Sequence, residues 1–557
     1  MSTWVEKSGF TQKQAFALVY AFIIMIGFGL GGTELMEVLF DWGKEALTEE
    51  DVVRIFEEQI DQGLGGSPYQ TEKPNSFEIG IIGSGVGRIY YALSGTTGKL
   101  VSNNVNATLV FQYCVDNGGG LIYIHDGNYT FSRDVDLSRT TNVTFQGESW
   151  NTMLYMANNA GGNTTINSNA DAGYVVFRDL QFHGNKANQG GVKKYLANIR
   201  GARYVLIDHI WAHHSSWNNF RIDTASDNVT IQNSLFTYSG QHGIVVRYSH
   251  NVKIVNNMAM YNLGAGINVG GASRSIENLI VSNNNACFNT EEGIHVESDI
   301  NNAIISDNTV LDNLRDGIRL TSFINGKVSD NLVNNSGYRG IVFYDVSTYN
   351  LLHLMVSDNM VLNSGWEGIS IKVNSATIKT GDIYLNDNIV NGSALDNLLI
   401  NGTTQVINRV TIHGGSYSYG LHDGMTIQNV TGLIIDSVRV MGNNHNGTEL
   451  YKCFSITISD CHYRDHVGVS RYAIATDLGT DYIHVDNCLF DGNQNVWLTA
   501  ATWYTFNGMG HERAAAEEPQ SSYWDRGNLV NFTDTGDATG DGVYVLLNDG
   551  VTWIKVG

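Results

Sequence analysis

A glycine followed by two apolar residues, separated by one variable residue, recurs through the middle of the chain. This Gly-Ile-x-Val type of motif stands at residues 243–246, 266–269, 293–296, 317–320, 340–343 and 368–371. Successive glycines are 23, 27, 24, 23 and 28 residues apart. The alternation is typical of short strands with one buried side, and a period of this length indicates one unit stacked many times. The sequence therefore predicts a solenoid built from strands.

A second apolar segment that ends in asparagine precedes most of the glycine motifs. Examples are Val281-Ser282-Asn283-Asn284 and Val356-Ser357-Asp358-Asn359. Together with Asn233, Asn257, Asn308 and Asn487, these asparagines predict an in-register ladder at an inward turn, because asparagine tolerates left-handed backbone and bonds backbone groups. The strands are short, joined by polar turns and free of any 3.6-residue period, which excludes a helical solenoid. The predicted fold is all-β, a right-handed parallel β-helix.

Three segments near the start of the repeats carry a family resemblance. They are residues 118–129, with a glycine-rich turn, a strand and a Gly-Asn-Tyr turn, and residues 142–148 and 177–185. They resemble the coils of the pectate-lyase-like superfamily, which includes carbohydrate-binding parallel β-helix repeat proteins. The proline usual before the Gly-x-Tyr turn is replaced here by His125-Asp126. The resemblance implies the fold only, because lyases, hydrolases, epimerases, viral tailspikes and inert surface proteins share it.

The N-terminal region contains an uncharged, mostly apolar stretch at residues 14–33, which is long enough to span a bilayer as a helix. Lys7 and Lys13 precede it and acidic residues follow it, so the positive-inside rule places the C-terminal bulk outside. We therefore predict a membrane-anchored protein at a cell surface or virion surface. A cleaved signal peptide is the alternative, and it would give a secreted protein.

The sequence predicts four consecutive regions. Residues 1–33 form the anchor or signal peptide, and residues 34–77 form a juxtamembrane helix and linker. Residues 78–510 form the β-helix, and residues 511–557 form a small C-terminal β-hairpin module. The juxtamembrane helix and the C-terminal module are candidates for self-association, and a homotrimer is the form that a spike would take.

The composition of the chain limits the classes of molecule that it is expected to bind. The net charge of −22 argues against binding to nucleic acid and to anionic lipid surfaces.

The five cysteines imply no disulfide framework. Cys287, which aligns with Leu311 of the next coil, is expected to be a buried small hydrophobe. Asn-x-Ser/Thr sequons, among them Asn128 and Asn446, permit glycosylation without requiring it.

The residues between the two apolar positions of each motif point outward, on one face of the solenoid. Five of the chain's basic residues share that face, and three aromatic residues lie along its edge: Arg221, Arg247, Arg319, Arg339 and Lys372, with Trp217, Tyr338 and Trp366. A basic stripe on an acidic protein favours an acidic polysaccharide, such as a polyuronate or a sulfated surface glycan, with aromatic rings stacking on sugars. The alternative is a polar outer face on which basic residues only relieve negative charge.

A denser cluster of charged residues and histidine on this face predicts a catalytic site. His295, Glu297 and Glu292 belong to one coil, while Arg319 and Asp316 belong to the next, about 4.8 Å away. For β-elimination from a uronate, Arg319, or a calcium ion held by the three carboxylates, would neutralise the substrate carboxylate. His295, or an arginine as in related lyases, would then take the proton beside it.

Two other interpretations of the cluster remain open. Glu292 or Glu297 with Asp316 could supply the acid and base of a hydrolase, although the paired-Asp and Gly-His-Gly signatures of polygalacturonase-type hydrolases are missing. A solvated network of structural ion pairs is the non-catalytic interpretation. The predicted activity is a polysaccharide lyase, and the alternative is a non-catalytic surface or virion spike, adhesin or sheath component.

The histidines at positions 209, 213 and 214 match no known metal-ligand spacing. We predict that His209 occupies the asparagine-ladder position as a structural substitute, with the other two in the following turn.

Overall fold

The computed structural model describes residues 76–512, 529–532, 542–546 and 553–555, with gaps at 85–87, 139–141, 163, 169–172, 225, 271–275, 298–299, 322, 345–350, 374–379, 404–405, 467–471, 478, 492–493, 499–503 and 508–509. The anchor, juxtamembrane helix and linker predicted before residue 76 lie outside these residues. Within them, no helix has the length and apolar character needed to cross a membrane.

Each coil of the solenoid has three strands, which stack on the equivalent strands of the next coil. In one coil these are Ile276–Ser282 on face 1, Asn285–Cys287 on face 2 and Ile294–Glu297 on face 3. Left-handed residues turn the chain between faces, as at Asn283 (φ 56°) and Phe288 (φ 57°). All three strands pair in parallel with those of the following coil. The predicted parallel β-helix is confirmed.

The strands of the three faces have the following bounds. Face 1 contains Gly120–Ile124, Asn142–Gly147, Tyr174–His183, Tyr204–His213, Asp227–Gln232, His250–Val255, Ile276–Ser282, Ile300–Ser306, Phe323–Ser329, Leu351–Ser357, Thr380–Asn386, Ile407–His413, Val430–Asp436, Phe454–Ser459, Asp481–Asp486 and Tyr504–Asn507. Face 2 shares the two ten-residue strands and adds Gly127–Phe131, Thr152–Met156, Leu235–Thr237, Met258–Met260, Asn285–Cys287, Thr309–Leu311, Leu332–Asn334, Met360–Leu362, Ile389–Asn391, Ser416–Ser418, Arg439–Met441, His462–Arg464, Leu489–Asp491 and Gly510–Glu512. Face 3 contains Val135–Asp136, Ile166–Asn167, Ala197–Arg200, Phe220–Asp223, Ile244–Val246, Ile267–Gly270, Ile294–Glu297, Ile318–Thr321, Ile341–Tyr344, Ile369–Val373, Leu398–Gly402, Met425–Gln428, Thr448–Tyr451, Tyr472–Thr476 and Gln494–Leu498.

An antiparallel meander and a helix precede the regular coils. The meander consists of Phe77–Ile82, Ile89–Ser94 and Leu100–Asn104. The helix Ala107–Asp116 begins at Asn106, whose side chain accepts the Thr108 N–H. Its buried Phe111 packs against aromatic rings of the first coils, namely Tyr129, Phe131 and Phe145. The helix therefore covers apolar core that the first coils would otherwise expose, and it was not predicted. A short 3₁₀ helix spans Lys186–Asn188.

The glycine motifs form face 3 as expected. Their apolar residues, such as Ile294 and Val296, are fully buried and stack between Ile267 and Val269 before them and Ile318 and Leu320 after them. Side-chain burial of this kind, repeated coil after coil, supplies the main stabilisation of a solenoid.

The asparagine ladder is confirmed, with one shift of register. Buried Asn284 donates its amide to the Asn308 side chain at 3.0 Å, and the same bond repeats along the stack to Asn388. Asn233 and Asn487 instead occupy the preceding left-handed turn position, at φ 51° and 48°. His209, at φ 52°, also occupies this outer turn and pairs with Asp179, so its predicted place in the ladder is one residue off.

At the C-terminal end, Gly510–Glu512 still pairs with a strand of the β-helix. Leu529–Phe532, Gly542–Leu546 and Trp553–Lys555 form a three-stranded antiparallel sheet, one strand more than the predicted hairpin. The five cysteines are buried, and Cys287 pairs in register with Leu311 as predicted.

Candidate functional site

Face 3 carries the predicted outward column in register. Arg221, Val245, Asn268, His295, Arg319, Val342 and Ser370 follow one another from coil to coil. The small members Val245, Asn268, Val342 and Ser370 are almost fully buried although they point away from the core. Neighbouring side chains therefore cover them, and the ionisable side chains His295 and Arg319 lie side by side in the middle of this column.

His295 lies within a network of carboxylates and arginine. Its Nδ1 is 3.3 Å from Glu297 Oε1 and 3.8 Å from Glu292 Oε2, and Arg319 Nη1 donates to Glu292 Oε1 at 3.3 Å. Burial lowers the pKa of His295 to about 4, with Glu297 opposing the shift and Arg319 adding to it. The imidazole is therefore neutral at pH 7 and has a nitrogen lone pair available.

Asp316 belongs to a second network, one coil further along. It accepts the Arg339 N–H at 3.0 Å, and its carboxylate lies 3.6 Å from Arg339 Nη1. Arg339 Nε donates to Glu367 at 2.9 Å, and Lys372 Nζ donates to the other oxygen of Glu367 at 3.0 Å. Asp316 is thus engaged by arginine instead of facing His295, and burial raises its pKa.

The calcium site predicted from Glu292, Glu297 and Asp316 stays a prediction. In the described part of the chain these three do not form a group of mutually close ligand atoms, whereas two histidine-containing groups do. Glu292 and Asp316 are turned toward Arg319 and Arg339.

The predicted binding residues are distributed along the face. Tyr338 and Trp366 stack on each other at 4.7 Å, about 40% exposed each, and Arg339 lies 4.7 Å above the Trp366 ring. Arg221 and Trp217 lie four coils before Arg319.

Arg221 and Trp217 both contact other side chains of the protein. Arg221 forms an ion pair with Asp223 and donates to the Tyr195 hydroxyl at 3.0 Å. Trp217 carries the Lys193 ammonium over its ring at 3.7 Å. Arg247 lies close enough to His242 and His295 to lower the pKa of both. Because carboxylates pair with most of its cations, the predicted basic stripe is largely neutralised.

A column of buried acids runs along the turn just before face 3. We call this the acidic column; its members, in register order, are Glu292, Asp316, Glu367, Asp396 and Asp423. Arg339 takes the place between Asp316 and Glu367. The glycine motif is interrupted after Glu367, because Asn397 replaces the motif glycine in the next coil. Extending the same register by two coils would have found Asp396 and Asp423.

The downstream half of the column, Asp396 and Asp423, pairs with histidines. His422 Nδ1 is 2.6 Å from Asp396 and 3.0 Å from Asp423, and His445 Nδ1 is 2.7 Å from Asp423. The hydrogen bond to Asp396 raises the pKa of His422 to about 9. Burial, with the neighbouring Asp423, raises the pKa of Glu449 to about 7. This region therefore holds three carboxyl groups against two imidazoles.

A second histidine cluster lies where face 2 ends and the following turn begins. Its members are His183, His213 and His214, all with pKa values lowered by burial. His183 Nδ1 accepts the Asn185 N–H at 2.9 Å, and Gln181 Nε2 lies 2.9 Å from His213 Nε2. His183 was not predicted to belong with His213 and His214, because it lies a full coil before them in the sequence.

Comparison with known proteins agrees with this geometry. Residues 218–376 match the family model described as "Right handed beta helix region". The matched residues lie within the regular coils, where the strand pairing shows a parallel β-helix. No curated protein sequence matches the chain.

Among solved structures, the β-helix is similar to the A-module of a mannuronan C-5 epimerase from Azotobacter vinelandii, with 15% identity, 72% of this chain and 94% of that chain covered, and a TM-score of 0.31. It is also similar to tailspike protein 3 of bacteriophage CBA120, with 12% identity, coverage of 92% and 77%, and a TM-score of 0.39. The catalytic domain of a GH87 alpha-1,3-glucanase shows 14% identity, coverage of 72% and 67%, and a TM-score of 0.37. Likenesses at this level concern the fold and assign no activity.

Proposed function

We propose that the protein binds an acidic polysaccharide along face 3 and cleaves it by β-elimination at His295 and Arg319. The observation that carries this proposal is their register: the two residues are direct partners on adjacent strands and both point outward. Strands in neighbouring coils lie about 4.8 Å apart, so one sugar residue can touch both side chains.

Arg319 is suited to hold the substrate carboxylate. One third of its side chain is exposed, and the hydrogen bond to Glu292 engages its Nη1. A guanidinium binds a carboxylate through two parallel hydrogen bonds. Neutralising that carboxylate makes the proton on the adjacent carbon more acidic, which is the requirement for elimination.

His295 is suited to take that proton. Its Nδ1 faces the Glu297 carboxylate at 3.3 Å, so the neutral ring carries its own proton there and Nε2 has the lone pair. Nε2 takes the proton next to the substrate carboxylate, the bond from the neighbouring ring carbon to the glycosidic oxygen breaks, and a ring double bond forms. The leaving oxygen then receives a proton from the imidazolium or from water.

Tyr338, Trp366 and Lys372 extend the proposed binding surface downstream. The two exposed rings offer a flat edge to sugars, and the Lys372 ammonium is held on the same face by Glu367. Display outside a membrane through residues 14–33 belongs to the same proposal and rests on the sequence alone.

The test uses the full-length protein with a panel of polyuronates and sulfated glycans, and mass spectrometry of the products. Elimination predicts unsaturated oligosaccharides, one water lighter than hydrolysis products. We expect His295→Gln and Arg319→Ala to lower the rate by about 100-fold or more. His462→Gln and Arg464→Ala, which alter a histidine and an arginine on face 2, serve as matched controls.

Two results would overturn the lyase. Saturated fragments would show hydrolysis. Retention of a polymer without any product would leave a non-catalytic glycan-binding rod, the alternative function predicted from the sequence.

A further inference from the structure

The downstream half of the acidic column is short of positive charge. Asp423 is completely buried and Asp396 nearly so. In the described part of the chain, both carboxylates form ion pairs only with His422 and His445, and with no arginine or lysine. Burying carboxylates without a permanent counter-charge is costly, so this pattern needs an explanation.

The possible ligand atoms of three of these residues lie close together. The ligand atoms of His422, Asp423 and His445 all lie within 4.8 Å of one another. Both imidazoles present Nδ1 to the carboxylates, and Asp396 reaches the same Nδ1 of His422 at 2.6 Å. Two imidazole nitrogens and one carboxylate oxygen match the three protein ligands of a four-coordinate metal site whose fourth ligand is water.

We infer that His422, Asp423 and His445, with Asp396 beside His422, form a binding site for a divalent transition-metal ion such as Zn²⁺ or Mn²⁺. Imidazole ligands favour the transition metals over calcium, which prefers an all-oxygen shell. The ion would take the place of the protons that now lie between each Nδ1 and its carboxylate, and of the contact between Asn446 Nδ2 and His445 Nδ1 at 3.2 Å. His422 is half exposed, which leaves a path for the ion to enter.

The surroundings of these residues support a cation. Asp423 also accepts the Asn446 N–H at 2.7 Å, which fixes the carboxylate orientation as outer-shell groups do around metal ligands. This inference is independent of the activity proposed for His295.

The test is metal binding by the full-length protein after treatment with chelator and dialysis. Titration with Co²⁺ should give the visible absorption of four-coordinate Co²⁺ bound to nitrogen and oxygen, saturating at one ion per chain, and Zn²⁺ should displace it. We expect the double variant His422→Gln/His445→Gln to bind at least about 100-fold more weakly. Asp423→Asn should weaken binding too, and circular dichroism shows whether each variant is folded.

The control is His183→Gln, which alters the other histidine cluster. Unchanged Co²⁺ binding in this control together with its loss in the double variant supports the site. Binding that survives in the double variant, that is lost only in His183→Gln, or that is absent from the wild type would overturn it.

Discussion

The two halves of the acidic column occupy one register position and are neutralised in different ways. Upstream, Glu292, Asp316 and Glu367 pair with Arg319, Arg339 and Lys372. Downstream, Asp396 and Asp423 pair with His422 and His445. Both halves follow one strand register, and they differ in the side chains that face the acids.

This difference separates a permanent from a conditional interaction. A guanidinium keeps its charge at every physiological pH, so the upstream pairs persist. An imidazole loses its charge near neutrality unless a carboxylate holds the proton, and its nitrogen can bind a metal ion instead. The upstream half is therefore a fixed framework beside His295, and the downstream half is sensitive to pH and metal.

The largest effect is expected at Arg339, which holds two buried carboxylates. Arg339→Ala leaves Asp316 and Glu367 without their shared guanidinium, and should lower the free energy of unfolding by about 3–5 kcal/mol. Urea denaturation followed by circular dichroism measures it. The control Arg464→Ala breaks an exposed pair with Asp465 and should cost less than about 1 kcal/mol. Equal effects of the two variants would show that the upstream framework contributes nothing special.

A smaller effect is expected at Asp423 in the metal-free protein. Asp423→Asn keeps the shape but removes the charge that faces both histidines, and should destabilise by about 1–3 kcal/mol. Thermal unfolding in chelator provides the measurement. Asp436→Asn, which alters a more exposed His–Asp pair with His413, is the matched control and should cost less. A stabilised Asp423→Asn protein would contradict the pairing.

The downstream half should also lose stability as the pH rises. Because the pKa of His422 is raised from 6.5 to about 9 in the folded state, its charged form stabilises the fold fully below pH 6.5, and this contribution disappears as the pH passes through about 9. In chelator, the Tm difference between wild type and His422→Gln should be present at pH 6 and vanish above about pH 9. A difference that grows with pH would reverse the assigned sign.

The smallest effect on stability is expected when an arginine replaces a histidine in the downstream half, as in the upstream half. His422→Arg places a permanent cation between Asp396 and Asp423, as Arg339 is placed upstream. The loss of stability between pH 6.5 and about 9 should then be absent, while stability at pH 6 changes little because the side chain is half exposed. Thermal unfolding across this pH range checks both parts, and an unchanged pH dependence would mean that another group titrates.

The fold was predictable because its signal is periodic. The alternation in Gly-Ile-x-Val assigns Ile294 and Val296 inward and His295 outward, and the structure agrees. The asparagine ladder was predicted but shifted at Asn233, because two adjacent turn residues both favour asparagine and only burial separates them. The helix Ala107–Asp116 was missed because its sequence lies before the repeat.

The strand register allowed prediction of which site residues are neighbours, but not of which of them bond to each other. Glu292, His295 and Arg319 meet because stacking places equivalent residues side by side. The choice of partners was not predictable, since Asp316 turns toward Arg339 through rotamers that spacing does not determine. His422 and Asp423 were missed because an asparagine interrupts the motif before them.

The most direct test of the account is the rate of unsaturated-product formation from a polyuronate as a function of pH. With His295 as base and its pKa lowered to about 4, the account predicts kcat/KM already at its plateau by about pH 5 and flat through neutrality. A rate that rises between pH 6 and 7, as for an ordinary histidine, would contradict the buried neutral base. No unsaturated product at any pH would contradict the elimination itself.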